Sequence, residues 1–103
     1  MIKDYFWFLG EIGCKLNVSS STLAYATKIL QLAKEKRVTS GRNPRCLAGA
    51  ALYIAQFSRL EPLSERWTQK KVADAAGVSE PAIRFTYHLL MEKLGLTVAI
   101  RRD

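Results

Sequence analysis

An all-α bundle packed around one buried helix is the architecture this chain predicts. The first sign is Pro44 to Phe57, PRCLAGAALYIAQF, which carries no charge after Arg45. Its small residues Ala48, Gly49, Ala50, Ala51 and Ala55 are interspersed with Leu47, Leu52, Tyr53, Ile54 and Phe57. At helical pitch these side chains point in every direction, and a helix that is apolar all round belongs in the middle of a bundle. It is too short to cross a bilayer, which needs about 20 apolar residues. The second sign is apolar spacing of helical period on both sides of this stretch. The third is composition: 49% of the 103 residues are hydrophobic, enough for one domain to build a core and too many for disorder.

From the N-terminus, Ile2, Tyr5, Phe6, Leu9, Ile12 and Leu16 share one helical stripe, so a first helix is expected over 2–16. Trp7 and Phe8 fall off that stripe. Either they widen the buried face or they cover a protein partner, since exposed apolar patches often mark interfaces. Asn17 to Ser20 break the pattern, and Ser20 or Ser21 can cap a second helix running to about Arg37. Its inward positions are Leu23, Ala26, Ile29, Leu30 and Ala33. Lys34, Lys36 and Arg37 end it, where cations suit the negative pole of the helix dipole. Arg42 and Arg45 follow closely after the loop Val38 to Gly41, so the same cations can instead grip a phosphate backbone. Asn43 as N-cap and Pro44 at the first position open the central helix, expected over about 43–58. Ser58 to Trp67, with Pro62, reads as a connection whose Trp67 packs on the core. The tail Thr97 to Asp103 adds either a strand-like segment or a pair of phosphate contacts.

Between them, residues 68–94 read TQKKVADAAGVSEPAIRFTYHLLMEKL. Thr68 can cap a short helix through Ala76 with Val72, Ala73 and Ala76 inward; Gly77 turns the chain, Val78 plugs the core, and Ser79 caps the next helix. A small residue at the crossing, a glycine four positions on and two apolar locks, Val78 and Ile83, make a helix-turn-helix pattern. Ile83, Tyr87, Leu90 and Leu94 share the inner face of the second helix, with Met91 at its edge. Pro81, Arg84, Phe85, His88 and Glu92 lie opposite. In such a motif the N-terminal half of the second helix enters the major groove. Arg84 there can bridge O6 and N7 of a guanine, or else touch a phosphate or stand as a plain surface arginine. Pro81 and Phe85 are candidates for apolar contact with base edges, and Lys70 and Lys71 for the phosphate backbone.

Sixteen Lys and Arg against nine Asp and Glu give +7, which favours a polyanion, nucleic acid before membrane. Cys14 and Cys46 are far apart and His88 is the single histidine, whereas a zinc site takes about four N or S ligands. No metal and no cofactor are therefore expected; Cys46 reads as a core thiol, with a disulfide left open. There is no Gly-rich phosphate loop and no nucleophile motif, so no enzyme is expected. Lys3, Asp4 and Glu11 interrupt the apolar N-terminus, which does not read as a signal peptide.

The runs SGRNPRCLAGAALYIA and TQKKVADAAGVSEPAIRFTY, in this order, resemble the cyclin-like repeat of archaeal transcription factor B and eukaryotic transcription factor IIB. The likeness covers about residues 2–95 and is nearer to the second repeat of that core than to the first. It implies five helices around a central third, which agrees with the reading above. It also implies binding to TATA-binding protein on double-stranded promoter DNA, recognition of the purine-rich element upstream of the TATA box, and help in recruiting RNA polymerase. The family's base-reading arginine falls on Arg84 and its apolar contact on Pro81, often valine elsewhere; Ser79 joins Lys70, Lys71, Arg42, Arg45, Lys36 and Arg37 as candidate backbone contacts. Trp7 and Phe8 are then candidates for the face toward the first repeat. The family's zinc ribbon, linker and first repeat are not among these residues, so an excised C-terminal repeat or a shortened member is expected. A monomer is expected, binding DNA weakly on its own and in a salt-sensitive way. Its compartment would be the archaeal cytoplasm with its nucleoid, or a eukaryotic nucleus. Two other readings stay open: a stand-alone helix-turn-helix regulator, which would dimerise over two half-sites, and a cyclin-like protein-interaction module.

Overall fold

The computed structural model describes residues 4–58 and 67–96; the expectations for Ile2, for the connection between 59 and 66 and for the tail 97–103 lie outside them. Five helices follow in order: α1 Tyr5–Leu16, α2 Ser20–Glu35, α3 Pro44–Ser58, α4 Gln69–Ala76 and α5 Glu80–Leu94. The expected all-α bundle is present. Helix α3 touches each of the other four, while among the described residues α1 does not meet α5 and α2 does not meet α4.

Local chemistry explains the boundaries. Asp4 caps α1 by accepting from the Trp7 N–H at 3.0 Å. Asn17 ends it in the left-handed region at φ 55, a conformation a short polar side chain tolerates, and Val18 N–H closes onto the Gly13 carbonyl. The α2 cap is Ser19, one residue before the expected Ser20 or Ser21: its hydroxyl accepts from the Thr22 N–H at 3.2 Å. Ser19 Oγ also meets Thr22 Oγ1 at 3.0 Å, and Thr22 is buried while the expected inward residue Leu23 is only half-buried. Capping draws Thr22 into the α2 start and satisfies a hydroxyl that burial would otherwise penalise. Asn43 caps α3 as expected, accepting from the Arg45 N–H at 2.9 Å.

Residues 46–56 of α3 are all buried, the direct consequence of a helix with no polar face. Gly49 is where α3 crosses the α4–α5 pair. A Cβ there would stand 2.8 Å from Ile83 Cδ1 and 3.5 Å from Val72 Cγ1. One polar side chain inside this helix has a specific task. Gln56 is buried and donates from Nε2 to the Trp67 carbonyl at 2.9 Å, while its Oε1 accepts from the Trp67 N–H at 2.7 Å. It satisfies both backbone groups of the residue that leads into α4, which keeps them from being orphaned beside the core.

Candidate nucleic-acid interface

Helices α4 and α5 pack against each other and against α3, joined by Gly77-Val78-Ser79. Thr68 caps α4 by accepting from the Lys71 N–H at 3.1 Å, and Ser79 caps α5 by accepting from the Ala82 N–H at 3.3 Å. Gly77 sits at φ 73, where a side chain would strain the backbone, and Val78 N–H bonds the Ala73 carbonyl at 3.0 Å. Val72, Ala73 and Ala76 of α4 are buried, as are Ile83, Tyr87, Leu90 and Leu94 of α5, with Thr86 added to that face. The expected helix-turn-helix is therefore present with its expected inner faces.

Two cations brace the turn from outside. Lys15 Nζ donates to the Ala75 carbonyl and Arg45 Nη1 to the Ala76 carbonyl, each at 3.5 Å. Both meet the last carbonyls of α4, the negative end of its dipole. Lys15 was not singled out by its spacing, because its partner is distant in the chain. Arg45, one of the cations expected to grip a phosphate, is exposed; its guanidinium lies 4.7 Å from the Phe8 ring centroid and through Nη1 ties α3 to the turn. Phe8 itself, a candidate interface residue, is 8% exposed and belongs to the core, which removes it from the surface. Trp7 stays 43% exposed, edge-on to Phe8 with ring centroids 5.1 Å apart. The broad reading of the α1 core face holds for Phe8, and of the two it is Trp7 that keeps an outward aromatic surface.

The outer side of α5 presents Pro81, Arg84, Phe85, His88 and Glu92, all exposed, with Phe85 at 65%. A phenylalanine so exposed contributes little to the fold. Arg84 has its side chain half in solvent and donates from Nε to Gln69 Oε1 at 3.0 Å. Its Nη2 pairs with Glu80 Oε1 at 3.5 Å, one turn back on α5. A guanidinium carries five N–H donors, so these bonds leave enough for a bidentate contact outward. Lys70 and Lys71 are exposed on the first helix of the pair, and Ser79, exposed too, uses an oxygen lone pair for its cap, so its hydroxyl proton can point outward. Lys36, Arg37 and Arg42 are exposed around the loop into α3, the end of α3 that Arg45 ties to the turn. Arg42 Nε donates to the Val38 carbonyl at 3.0 Å, which folds that side chain back over the loop.

The cysteines are both free, Cys14 exposed and Cys46 buried under the α5 side. Burial pushes the Cys46 thiol above its usual 9.0, partly offset by its hydrogen bond with Thr86. Among the described residues no helix is long and apolar enough to cross a membrane, and no three His, Cys, Asp or Glu side chains group to hold a metal ion.

Relatives match this chain along most of its length. A transcription initiation factor IIB of Sulfurisphaera tokodaii is 40% identical over 96 residues, 93% of this chain and 29% of the relative. One from Methanopyrus kandleri is 46% identical over 88 residues, 85% of this chain and 27% of the relative. A transcription initiation factor IIB 2 of Thermococcus kodakarensis is 43% identical over 93 residues, 90% of this chain and 29% of the relative. The chain thus spans less than a third of the length of these relatives. Residues 3–93 also match the Transcription factor TFIIB repeat, and with that match added to the five-helix fold and its helix-turn-helix, the chain belongs to the TFIIB repeat family.

Proposed function

We propose that this chain acts as a promoter-binding domain of a general transcription initiation factor, through its helix-turn-helix and without catalysis. In this reading α5 enters the major groove and reads the purine-rich element upstream of the TATA box, in complex with TATA-binding protein. The observation that supports it most is the outward row Pro81, Arg84 and Phe85 on the N-terminal half of α5, where a half-exposed guanidinium stands beside a phenylalanine with no part in the core. That is where a second helix meets base edges. Arg84 contacts a guanine, Pro81 and Phe85 supply apolar contact, and Lys70, Lys71, Ser79, Lys36, Arg37, Arg42 and Arg45 approach phosphates. Trp7 faces a neighbouring repeat, and RNA polymerase is a further partner that the family relation suggests for the chain.

The test is an anisotropy titration of the chain at two salt concentrations. The probes are a promoter with the intact element and one with it scrambled, each with and without TATA-binding protein. Tighter binding to the intact element, reduced by about 1–3 kcal/mol in Arg84→Ala, is the expected result. Equal binding to both probes that falls with salt would reduce the chain to a non-specific basic domain. A dimer bound over two half-sites would favour a stand-alone regulator, and no binding to either probe would favour a protein-interaction module.

A further inference from the structure

The base-reading arginine is not held by its own helix alone. Gln69, the first residue of α4, is 6% exposed and lies among Arg84, Tyr87 and Tyr53. Its amide orientation follows from chemistry. Arg84 offers only donors, so the amide atom facing its Nε at 3.0 Å has to be the oxygen. The Nε2 group then faces the tyrosines, 3.2 Å from the Tyr87 hydroxyl and 3.5 Å from the Tyr53 hydroxyl. Tyr53 is fully buried on α3 and Tyr87 is buried on α5, and their rings meet at 5.0 Å between centroids. A chain of hydrogen bonds thus runs from the central helix through Gln69 to the guanidinium.

We propose that Gln69 is a positioning residue for sequence readout: it anchors Arg84 through Nε and turns the Nη1/Nη2 edge toward the groove. This rests on the base-reading role given to Arg84 above. The physical reason is entropic. An arginine on a bare surface must give up its rotamer freedom when it engages a guanine, whereas one already held loses less. The Glu80 pair does not serve the same end, since it is exposed on both sides and phosphate or counterions screen it. Gln69 is shielded from that screening. Because it lies inside the motif, it steadies Arg84 without touching DNA, so its loss weakens discrimination between sequences more than it weakens attraction to phosphates.

The experiment compares wild type, Gln69→Leu, Gln69→Glu and Tyr87→Phe on intact and scrambled elements, at a temperature where circular dichroism shows each variant folded. The readout is the ratio of the two affinities, which a merely structural role leaves unchanged because it scales both. Gln69→Leu removes the acceptor and should lower the ratio by about 3- to 10-fold. Gln69→Glu keeps an acceptor toward Nε and should restore most of the ratio while weakening both affinities through its added negative charge. Tyr87→Phe leaves the Gln69–Arg84 bond in place and should cost less than Gln69→Leu. In the free protein, the Arg84 Nε–H signal in nitrogen-correlated NMR should be sharp in wild type and exchange-broadened in Gln69→Leu. A Gln69→Leu variant that discriminates as well as wild type overturns the positioning role and leaves the DNA reading intact. A wild type that does not discriminate overturns both.

Discussion

Replacing Gln56 by leucine tests the idea that a buried amide fastens the helix-turn-helix to the central helix. Gln56 is fully buried and makes two short bonds, 2.7 Å and 2.9 Å, to the two backbone groups of Trp67. Leucine is similar in size and apolar, so it fills the space but leaves an N–H and a C=O beside the core without partners. Each such group costs about 1–3 kcal/mol. Trp67 is half-buried, so water reaches part of that backbone, and the lower half of the range applies. The expected loss is about 2–4 kcal/mol, a large share of the roughly 5–15 kcal/mol that holds a domain together. At a urea slope of about 2 kcal/mol per molar, the midpoint should fall by about 1–2 M. Urea unfolding followed by circular dichroism and by tryptophan fluorescence would measure it. Gln56→Glu adds a second axis. A carboxylate accepts from the Trp67 N–H but repels the carbonyl, and burial raises its pKa above the unfolded value near 4.3. The folded state then binds the proton more tightly, so stability is recovered below about pH 4 and lost as pH rises through the folded pKa. A midpoint shift under about 0.3 M in Gln56→Leu, or no pH dependence in Gln56→Glu beyond wild type, would show that the Trp67 backbone is satisfied some other way.

Four further outcomes follow from the same structure. Gly77→Ala places a Cβ at φ 73 and 3.1 Å from Arg45 Nη1, so it should cost about 1–2 kcal/mol and lower Tm by several degrees in a thermal scan. Phe8→Ala should cost about 3–5 kcal/mol as a buried truncation, whereas Phe85→Ala should leave Tm nearly unchanged and weaken DNA binding; equal stability losses would contradict the assignment of Phe8 to the core. A thiol-reactive dye should label Cys14 quickly and Cys46 only on unfolding, because Cys46 is buried and its thiol is held above the usual 9.0. Since the unfolded thiol ionises more readily than the folded one, the Cys46 contribution to stability is present below the unfolded pKa and declines as pH rises past it, so a Cys46→Ala variant should lose part of the alkaline drop in Tm.

Much of this molecule is written in short-range pattern, and that part is determined by the sequence itself. The all-round apolar run of α3 requires burial, and residues 46–56 are buried. Asn43-Pro44, Thr68 and Ser79 start helices because each offers a side-chain oxygen to an N–H two or three residues on, and Gly77 ends one because it tolerates positive φ. Periodicity within α5 separates Ile83, Tyr87, Leu90 and Leu94 from Pro81, Arg84 and Phe85 without reference to any other helix. The tertiary structure decided what periodicity cannot reach. Whether Phe8 or Trp7 turned inward depended on where Arg45 and α3 stood against α1. The polar fastenings join residues far apart in the chain: Gln56 to Trp67 across 11 positions, Gln69 to Arg84 across 15, Arg45 to Ala76 across 31 and Lys15 to Ala75 across 60. A hydrogen bond of about 3 Å is set by the docking of whole helices, to which a residue's own neighbours in sequence are blind.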